Sequence, residues 1–351
     1  MSRHAAQTPG RRNGDEAPAT PVRLVEVARA AGVSSMTVSR ALRHPERVAP
    51  ATLQSVRGAI ARLGYLPDGG AAALATRRSR VVAAIVPTLM NSVYASTVHG
   101  LAAALRAAGY ELMLGDSGYD RDVEAALVRS FIGRRVDALV LTGVEHAEAT
   151  RALIARHRVP VVEIWDATRS PIDMLVGFSN VASGREAGRW LAAHGRRRWA
   201  FVGTPPERED RSGKRLKGLR EAARAAGLPA PETAFVADGM SAAAGREAVA
   251  ALLARVPAVD ALFCANDALA VAALRAAHEA GVEVPGRLAV MGFGDFDVAA
   301  VVRPALTTIA IPGEAIGAAA AQAVLSRLDG RDAGGTVRRD LGFGIVRRES
   351  A

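Results

Sequence analysis

The sequence is poor in cysteine and in long uninterrupted apolar runs. Cys264 is the one cysteine among 351 residues, which excludes an intrachain disulfide framework and a cysteine-based metal site. No charge-free apolar run reaches the roughly eighteen residues of a membrane-spanning helix, and the polar N-terminus holds no apolar segment of an export signal. We therefore expect a cytoplasmic protein that makes no membrane contact.

Several catalytic signatures are missing or incomplete. The seven histidines include no pair at zinc-ligand spacing, and no complete phosphate loop or dinucleotide fingerprint is present. Residues 115–118 (Gly-Asp-Ser-Gly) match the motif of a chymotrypsin-like nucleophile, but that chemistry needs a histidine and an aspartate on an antiparallel barrel. Cys264 ends an apolar run, which is typical of a buried side chain. We therefore expect no enzyme activity, no metal and no cofactor.

The positive charge lies mainly in the first quarter of the chain. Through Arg80 there are 13 arginines, no lysine and five acidic residues, so +8 of the net charge of +10 is found there. This asymmetry favours an N-terminal region that binds a polyanion, joined to a nearly neutral body. The alternative is an arginine-rich surface that is merely solvated. The length and the 50% hydrophobic content predict more than one domain.

Residues 22–67 have the pattern of three short helices. Residues 1–21 lack apolar periodicity and are typical of a disordered tail. From Leu24 the apolar residues recur at helical spacing, Gly32 ends the first helix, and Ser34 can cap a second. A third helix fits residues 51–63. Residues 68–80 are alanine-rich and predict a linker, or hinge, that could become helical.

After the hinge, apolar runs alternate with helical stretches. Such alternation predicts parallel strands covered on both faces and built from right-handed βαβ units. We expect an α/β domain over residues 81–346 with two lobes, crossings near 178 and 310, and a short tail at 347–351. The predicted strands are Val81–Val86, Glu111–Leu114, Ala138–Leu141, Val159–Ile164, Met174–Phe178, Trp199–Val202, Ala261–Cys264 and Leu288–Phe293.

The segment from Leu24 to Leu42 resembles the helix-turn-helix of the lac repressor family at almost every patterned position. Further matching segments lie at 65–67, 71–75, 86–91, 160–163, 176–180, 263–267 and 341–343. Their order and spacing extend the resemblance over the chain after the tail, and within the family it is strongest to members that control gluconate-utilisation genes. The resemblance implies an all-α helix-turn-helix DNA-binding head, a hinge, and a two-lobed periplasmic-binding-protein-like α/β effector domain.

The second helix is the expected recognition helix. Such a helix reads the major groove from its N-terminal turns, so Ser35 and Met36 face base edges first and Arg40 one turn later. An arginine can fork onto guanine, although an exposed helix arginine can also be merely solvated. The other candidate contacts are to phosphates and the DNA backbone, and they come from Ser34, Thr37, Ser39 and Arg43.

The resemblance implies a further DNA contact in the hinge. In the family a hinge leucine is wedged into the minor groove, and Leu74 stands at that position. An ordinary dimer-contact leucine is the alternative. This hinge departs from the family pattern at Asp68-Gly69-Gly70, where each glycine costs roughly 1 kcal/mol of helix propensity. The hinge is therefore expected to be weaker, or to fold from Ala71 onward.

A ligand of a two-lobed α/β domain lies outside the carboxyl ends of the strands. The resemblance adds two arginines at the start of a helix, where the dipole opposes them and favours an anionic ligand. The alternative is a surface cluster that pairs with Glu207, Glu209 and Asp210. The expected effector-binding residues are Asn91, Tyr94, Ser117, Thr142, Asp166, Arg211, Arg215, Asn266 and Asp295.

One departure bears on the ligand. Sugar-binding members commonly place an aspartate where this chain has Gly294, and losing that carboxylate favours a sugar acid over a free sugar. An alignment shifted by one residue would return the role to Asp295.

The expected function is repression of sugar-acid catabolic genes. The partners are then a pseudo-palindromic double-stranded operator, a second copy of the chain, and gluconate or a related acid such as a ketogluconate or phosphogluconate. We expect the effector to release the protein from its operator, and co-repression is the alternative. The ending at 347–351 has no apolar heptads, so we expect a dimer. The competing interpretation is a sugar-binding or sugar-modifying α/β protein whose basic head is incidental.

Overall fold

The structure is a computed structural model that describes residues 22–66, 78–89, 92–237, 241–331 and 335–351. The chain divides into two units, Met1–Arg77 and Arg78–Ala351, and each has a hydrophobic core of its own. The last residues of the predicted hinge, 78–80, belong to the larger unit. There the backbone N–H and the hydroxyl of Ser79 donate to the Asp137 carboxylate at 2.8 and 3.0 Å.

Residues 22–66 form a three-helix module, as predicted. Gly32 ends the first helix in the left-handed conformation (φ 67°), and the Ser34 hydroxyl accepts the N–H of Thr37 at 3.1 Å to begin the second. The helices are α1 (Leu24–Ala31), α2 (Ser35–Arg43) and α3 (Pro50–Leu63). All three contribute to a core of Val27, Ala28, Val38, Ala41, Val56, Ala59 and Tyr65.

The larger unit contains two six-stranded sheets. The strands are β1 (Val81–Val86), β2 (Glu111–Asp116), β3 (Ala138–Thr142), β4 (Val161–Ile164), β5 (Met174–Gly177), β6 (Trp199–Gly203), β7 (Glu232–Phe235), β8 (Ala261–Cys264), β9 (Ala289–Gly294), β10 (Thr307–Ala310), β11 (Val337–Asp340) and β12 (Gly344–Val346). Lobe 1 holds the order β11-β5-β4-β3-β1-β2, all parallel. Lobe 2 holds β12-β10-β9-β8-β6-β7, parallel except for β12.

Helices follow most strands, and several strands (β3, β4, β6 and β8) are buried at every residue, as the continuous apolar runs predicted. The helices of the larger unit are α4 (Ala95–Ala107), α5 (Arg121–Gly133), α6 (Glu148–His157), α7 (Asn180–Ala193), α8 (Asp210–Ala225), α9 (Ala242–Arg255), α10 (Asp267–Glu279), α11 (Asp297–Val301) and α12 (Gly313–Leu328). The predicted two-lobed α/β architecture is confirmed.

The sequence pattern did not find β7, β10, β11 and β12. The strand β7 lies at a sheet edge and has no fully buried residue, and β11 carries the exposed Arg338 and Arg339. β12 has three residues, and β10 begins with two threonines. None of them has the continuous apolar run that marks a central strand.

The chain passes between the lobes three times. It leaves lobe 1 after Gly177, returns after Ala310, and leaves again after Asp340 to form β12. The third passage, through Leu341-Gly342-Phe343, was not predicted because β11 and β12 were not recognised as strands. Three segments of the chain therefore connect the two lobes.

The last five residues were set apart as a tail, and the structure corrects this. They pack on lobe 2: the Ser350 hydroxyl donates to the Val290 carbonyl at 2.6 Å, and the Glu349 carboxylate accepts the N–H of Ala305 at 2.7 Å. The side chain of Arg348 pairs with Asp295 at 2.7 Å.

Two helix pairs touch through glycine. In the pair α7–α8, a Cβ added at Gly218 would lie 2.0 Å from the carbonyl oxygen of Val181, and one added at Gly184 would lie 1.9 Å from that of Arg215. The pair α4–α12 repeats this arrangement at Gly100 and Gly317. No side chain fits at these crossings, so the backbones set the positions of these helices.

We expect Gly218→Ala to lower the free energy of unfolding of the larger unit by about 2–3 kcal/mol, because the added methyl group forces α7 and α8 apart. The matched change is Gly133→Ala at the end of α5, where a Cβ meets nothing within 4 Å; it should alter stability by no more than about 1 kcal/mol. Urea unfolding followed by circular dichroism measures both. Equal stability of the two variants would contradict the close contact.

Candidate functional site

The helix α2 exposes the face that was predicted to read DNA. Val38 and Ala41 pack into the core, while Met36 is 72% exposed and Arg40 and Arg43 lie on the surface. Within the part of the chain that the structure describes, neither arginine forms an ion pair. An apolar side chain and two unneutralised guanidinium groups on one helix face can contact base edges and phosphates.

The hydroxyl residues of α2 lie at its start and along its side. The Ser34 hydroxyl lies 2.9 Å from that of Thr37 and caps the helix, so both are already part of the local structure. Ser35 and Ser39 are partly exposed. Across residues 22–66 there are seven arginines against two glutamates, which makes this module strongly basic. Leu74 and Asn91, also predicted as contacts, lie outside the described residues.

In the larger unit, the carboxyl ends of both sheets face one another across a cleft. We call the space lined by Tyr94, Tyr119, Trp165, Arg211, Arg215 and Phe293 the interlobe cleft. A cavity of about 710 Å³ adjoins it and shares Trp165, Gly294 and Phe296 with it. Together they offer room for a small molecule.

Arg211 reaches from lobe 2 to lobe 1. It is 5% exposed, and its guanidinium donates to the Thr142 carbonyl at 3.4 Å and to the Tyr94 hydroxyl at 3.3 Å. This approach requires Gly143, since a Cβ there would lie 2.5 Å from Nη1 of Arg211. Arg211 therefore links the two walls of the interlobe cleft.

Arg215 lies one turn further along α8 and is 4% exposed. Its guanidinium donates to Asn180 Oδ1 at 2.7 Å and to Glu209 Oε1 at 3.0 Å, and it lies 4.3 Å from the centre of the Phe293 ring. Its Nε–H has no acceptor among the described residues. A buried guanidinium donor without an acceptor suits a ligand oxygen.

Lys214 completes a second link between the lobes. Its ammonium group lies 2.5 Å from Asp166 and 3.8 Å from Glu145 of lobe 1, and 2.9 Å from Asp210 of its own helix. Burial lowers the pKa of Lys214, but Asp166 and Asp210 outweigh that effect and raise it. The predicted residue Asp166 thus binds a basic side chain of the protein itself, and Glu145 was not predicted.

Aromatic rings form the rest of the wall. Tyr94 and Trp165 meet edge to face at 5.0 Å, and Trp165 donates from Nε1 to the Thr97 hydroxyl at 2.9 Å. Burial raises the pKa of Tyr94 and of Tyr119, so both hydroxyls are neutral at ordinary pH. Sequence reasoning missed Tyr119, Trp165 and Phe293. Trp165 directly follows a predicted strand and Phe293 ends one, which was the available signal, whereas Tyr119 lies five residues beyond the predicted strand end at Leu114.

The remaining predicted residues separate into two groups. Ser117 and Thr142 line a recess next to Arg211, and Asn266 lines the interlobe cleft while its Oδ1 caps α10 by accepting the N–H of Leu269 at 2.9 Å. The carboxylate of Asp295 instead pairs with Arg348. Asp295 also lines the larger adjoining cavity, so its contact with a ligand stays a prediction.

Gly294 has a backbone conformation and a close neighbour that leave no room for a side chain. Its φ of 126° is in the range that only glycine readily adopts, and a Cβ there would lie 2.3 Å from the Phe296 ring. Asp267 fixes this loop by accepting the N–H of Phe296 at 2.7 Å and the Thr308 hydroxyl at 2.6 Å. At Gly294 itself the wall is the phenyl ring of Phe296, and the neighbouring Asp295 and Asp297 line the larger cavity.

A buried histidine stands behind the recess. Nδ1 of His146 lies 2.9 Å from Glu124 on α5, and Nε2 lies 3.4 Å from Glu163 on β4. Burial lowers the pKa of this imidazole, but the two neighbouring carboxylates outweigh that effect and raise the pKa to about 9. His146 is therefore an imidazolium at neutral pH.

The other motifs raised by the sequence gain no chemical role. Ser117 follows a parallel strand, and Cys264 is fully buried, which raises the pKa of its thiol. Across the described ranges no three histidine, cysteine or acidic side chains are placed to hold a metal ion, and no helix there has the length and apolarity to cross a bilayer.

Comparisons with known proteins agree with this geometry. Residues 23–68 match the family model "Bacterial regulatory proteins, lacI family", and residues 189–351 match "Periplasmic binding protein-like domain". The chain is 38% identical to the transcriptional regulator GntR of Pseudomonas aeruginosa over 93% of this chain and 95% of that protein. It is 33% identical to GntR of Escherichia coli K12 over 91% and 96%.

Solved structures show the same likeness. A LacI-family regulator from Silicibacter pomeroyi superposes with a TM-score of 0.87 at 33% identity, covering 94% of this chain and 99% of that one. GntR from Chromobacterium violaceum superposes with a TM-score of 0.73 at 37% identity, covering 77% and 98%.

We predict that the free energy of unfolding falls by about 3 kcal/mol as pH rises from about 6.5 to about 9, because the folded chain holds the His146 proton that the unfolded chain releases. The folded-state pKa is raised, so this contribution is complete below the unfolded value and is lost through the folded one. Urea unfolding across this range measures it. His146→Gln should remove the slope, and an unchanged slope in that variant would refute the assignment.

Proposed function

The chain belongs to the lacI family of bacterial regulatory proteins and is a DNA-binding transcriptional regulator, and from this premise we propose that it represses sugar-acid catabolic genes in the cytoplasm and is released from DNA by gluconate or a close relative. The competing interpretation, in which the basic head is incidental, is wrong, because the head itself matches the family. The relatives are regulators, and we assign the chain no catalytic role.

For DNA, we propose that two copies bind a pseudo-palindrome with α2 of each copy in the major groove. The exposed side chains of Met36 and Arg40 support this, since Met can cover a thymine methyl group and Arg can fork onto guanine. Ser34, Ser35, Thr37, Ser39 and Arg43 would hold phosphates or base edges. Leu74 is proposed as the minor-groove wedge on its position in the sequence alone.

For the effector, the observation that carries the proposal is the unpartnered, buried Nε–H of Arg215, a residue whose side chain lines the interlobe cleft. A ligand carboxylate that enters a closed cleft loses hydration and must regain it from charge-assisted hydrogen bonds, which a guanidinium supplies in fixed geometry. Arg211 lies in the same cleft, and Gly294 adds no repelling carboxylate at its own position. The hydroxyls of a sugar acid would find Tyr94, Tyr119 and Asn266.

The carboxylate of Glu209 already pairs with Arg215. A ligand acid must therefore compete with it, or bind beside it through Nε. A neutral sugar, whose hydroxyls could donate to Glu209, Asp210 or Asp166, is the second candidate. A similar solved structure, at 31% identity and a TM-score of 0.68, is a CelR–cellobiose complex.

Binding in this cleft would stabilise the closed arrangement of the lobes. Operator affinity would then change by the coupling free energy between the two sites. We propose that effector binding lowers operator affinity and releases the protein; the alternative is co-repression, in which effector binding raises operator affinity.

We expect Arg40→Ala to cost about 1–3 kcal/mol of operator affinity and to relax the preference at one base pair of each half-site. Fluorescence anisotropy with a set of operators, each changed at one base pair, measures this. Arg57→Ala, an exposed arginine on α3, is the comparison change for loss of charge alone. If Arg40→Ala weakens every sequence equally, Arg40 contacts phosphate.

We expect Arg215→Lys to weaken gluconate binding by about 1.5–3 kcal/mol, because an ammonium group cannot replace the planar set of N–H donors of a guanidinium group. Arg185→Lys at the Arg185–Glu221 pair on the same lobe is the matched control and should leave binding unchanged. Glu209→Gln should strengthen gluconate binding and should not strengthen glucose binding, because the hydroxyls of glucose gain nothing from the loss of a carboxylate acceptor. Calorimetry with gluconate, glucose and ribose measures all of these.

The acid-binding proposal fails if glucose binds more tightly than gluconate. It fails as well if gluconate affinity survives replacement of both Arg211 and Arg215 by alanine. Either result leaves the regulator assignment in place.

A further inference from the structure

The loop 143–147 forms the part of lobe 1 that faces the basic side chains of α8. Its first residue, Gly143, lies against the guanidinium of Arg211, and Glu145 lies 3.8 Å from the ammonium group of Lys214. The contacts of Arg211 and of Lys214 with lobe 1 therefore both depend on the position of this short loop.

The loop is anchored from behind by His146, whose side chain has no exposed surface. Its imidazole lies between Glu124 of α5 and Glu163 of β4, and Glu163 also accepts the N–H of Ile172 at 2.6 Å. One side chain thus joins the loop to a helix, a strand and the segment before β5.

This anchor has no substitute nearby. Among the described residues, His146 is the one basic side chain that pairs with Glu124 or with Glu163, and Glu163 is fully buried. Two buried carboxylates without a cation between them would repel each other and draw in water. The loop would then lose the contact that fixes its backbone.

We propose that His146, through Glu124 and Glu163, is a positioning residue for the effector: it holds the loop 143–147 against Arg211 and Lys214 and thereby sets effector affinity. The inference rests on the proposed function insofar as the interlobe cleft is the effector site. His146 touches no ligand in this scheme. It acts through the backbone of its own loop, much as a residue behind a metal ligand orients that ligand.

A control distinguishes positioning from general stability. Asp173 forms an ion pair with Arg327 of α12 and accepts the N–H of Val161, and it lies just before β5, at the amino ends of the strands and away from the interlobe cleft. Asp173→Asn removes a partly buried charge from the same lobe without reaching the loop 143–147.

The experiment compares full-length His146→Gln, Glu163→Gln and Asp173→Asn with the parent chain. We measure Tm, operator affinity without effector, gluconate affinity by calorimetry well below every Tm, and amide hydrogen exchange. We expect His146→Gln and Glu163→Gln to weaken gluconate binding by about tenfold, which is the smaller of the losses typical for removal of a residue that orients a metal ligand. Exchange should speed up at 143–147, with operator affinity unchanged.

Asp173→Asn should lower Tm and leave gluconate affinity and the exchange of 143–147 as they were. The inference is overturned if Asp173→Asn weakens gluconate binding as much as His146→Gln does, or if His146→Gln alters neither affinity nor exchange. If the parent chain binds no gluconate, the proposed effector is wrong and exchange alone decides: faster exchange at 143–147 and at 209–214 supports positioning, and unchanged exchange refutes it.

Discussion

The structure of the larger unit depends on the burial of two arginines at the start of a helix. The dipole of α8 opposes Arg211 and Arg215, and their burial removes hydration that only strong hydrogen bonds can replace. The compensation comes from both lobes: a carbonyl and a phenol in lobe 1, and Asn180, Glu209 and the Phe293 ring around Arg215. Because the hydrogen-bond partners of Arg211 lie in lobe 1, they meet this arginine only when the lobes lie together, whereas the partners of Arg215 lie in its own lobe. The charge of Arg211 that favours an anionic ligand therefore also helps to set the lobe arrangement.

Such compensation needs precise placement, and the backbone provides it. Gly184 brings α7 directly onto the carbonyl of Arg215, so the turn that carries this side chain is set by a contact between backbones and not by adaptable side chains. Gly143 does the same for Arg211 by leaving room for its guanidinium. The positions of the two arginine side chains in the cleft therefore depend on the close approach that these glycines permit.

The periodic parts of the molecule were predictable from the sequence, and the parts that depend on long-range partners were not. The caps at Gly32 and Ser34 and the apolar runs of central strands are local signals, and they gave the head and both lobes correctly. The strand β11 could not be recognised, since its exposed Arg338 and Arg339 leave no apolar run. In the cleft, the position after each strand pointed to Tyr94 and Asp166, but no local signal pairs Asp295 with the distant Arg348, or His146 with Glu163. Those pairs exist only in the folded chain.

The balance of charge in the cleft bears on how an effector could act. Three basic side chains there meet Glu145, Asp166, Glu209 and Asp210, so the protein already supplies the negative charge that the arginines need. An anionic effector would exchange one carboxylate for another, and its net binding free energy would be the difference between two similar sets of charge-assisted bonds. Discrimination between ligands must then come from groups that the internal carboxylates do not pair with. These groups are the Nε–H of Arg215, the hydroxyls of Tyr94 and Tyr119, and the ring of Trp165. A carboxylate freed by this exchange would need a new partner or water, and that requirement gives the ligand a differential interaction with alternative lobe arrangements, without which no binding event could alter DNA affinity.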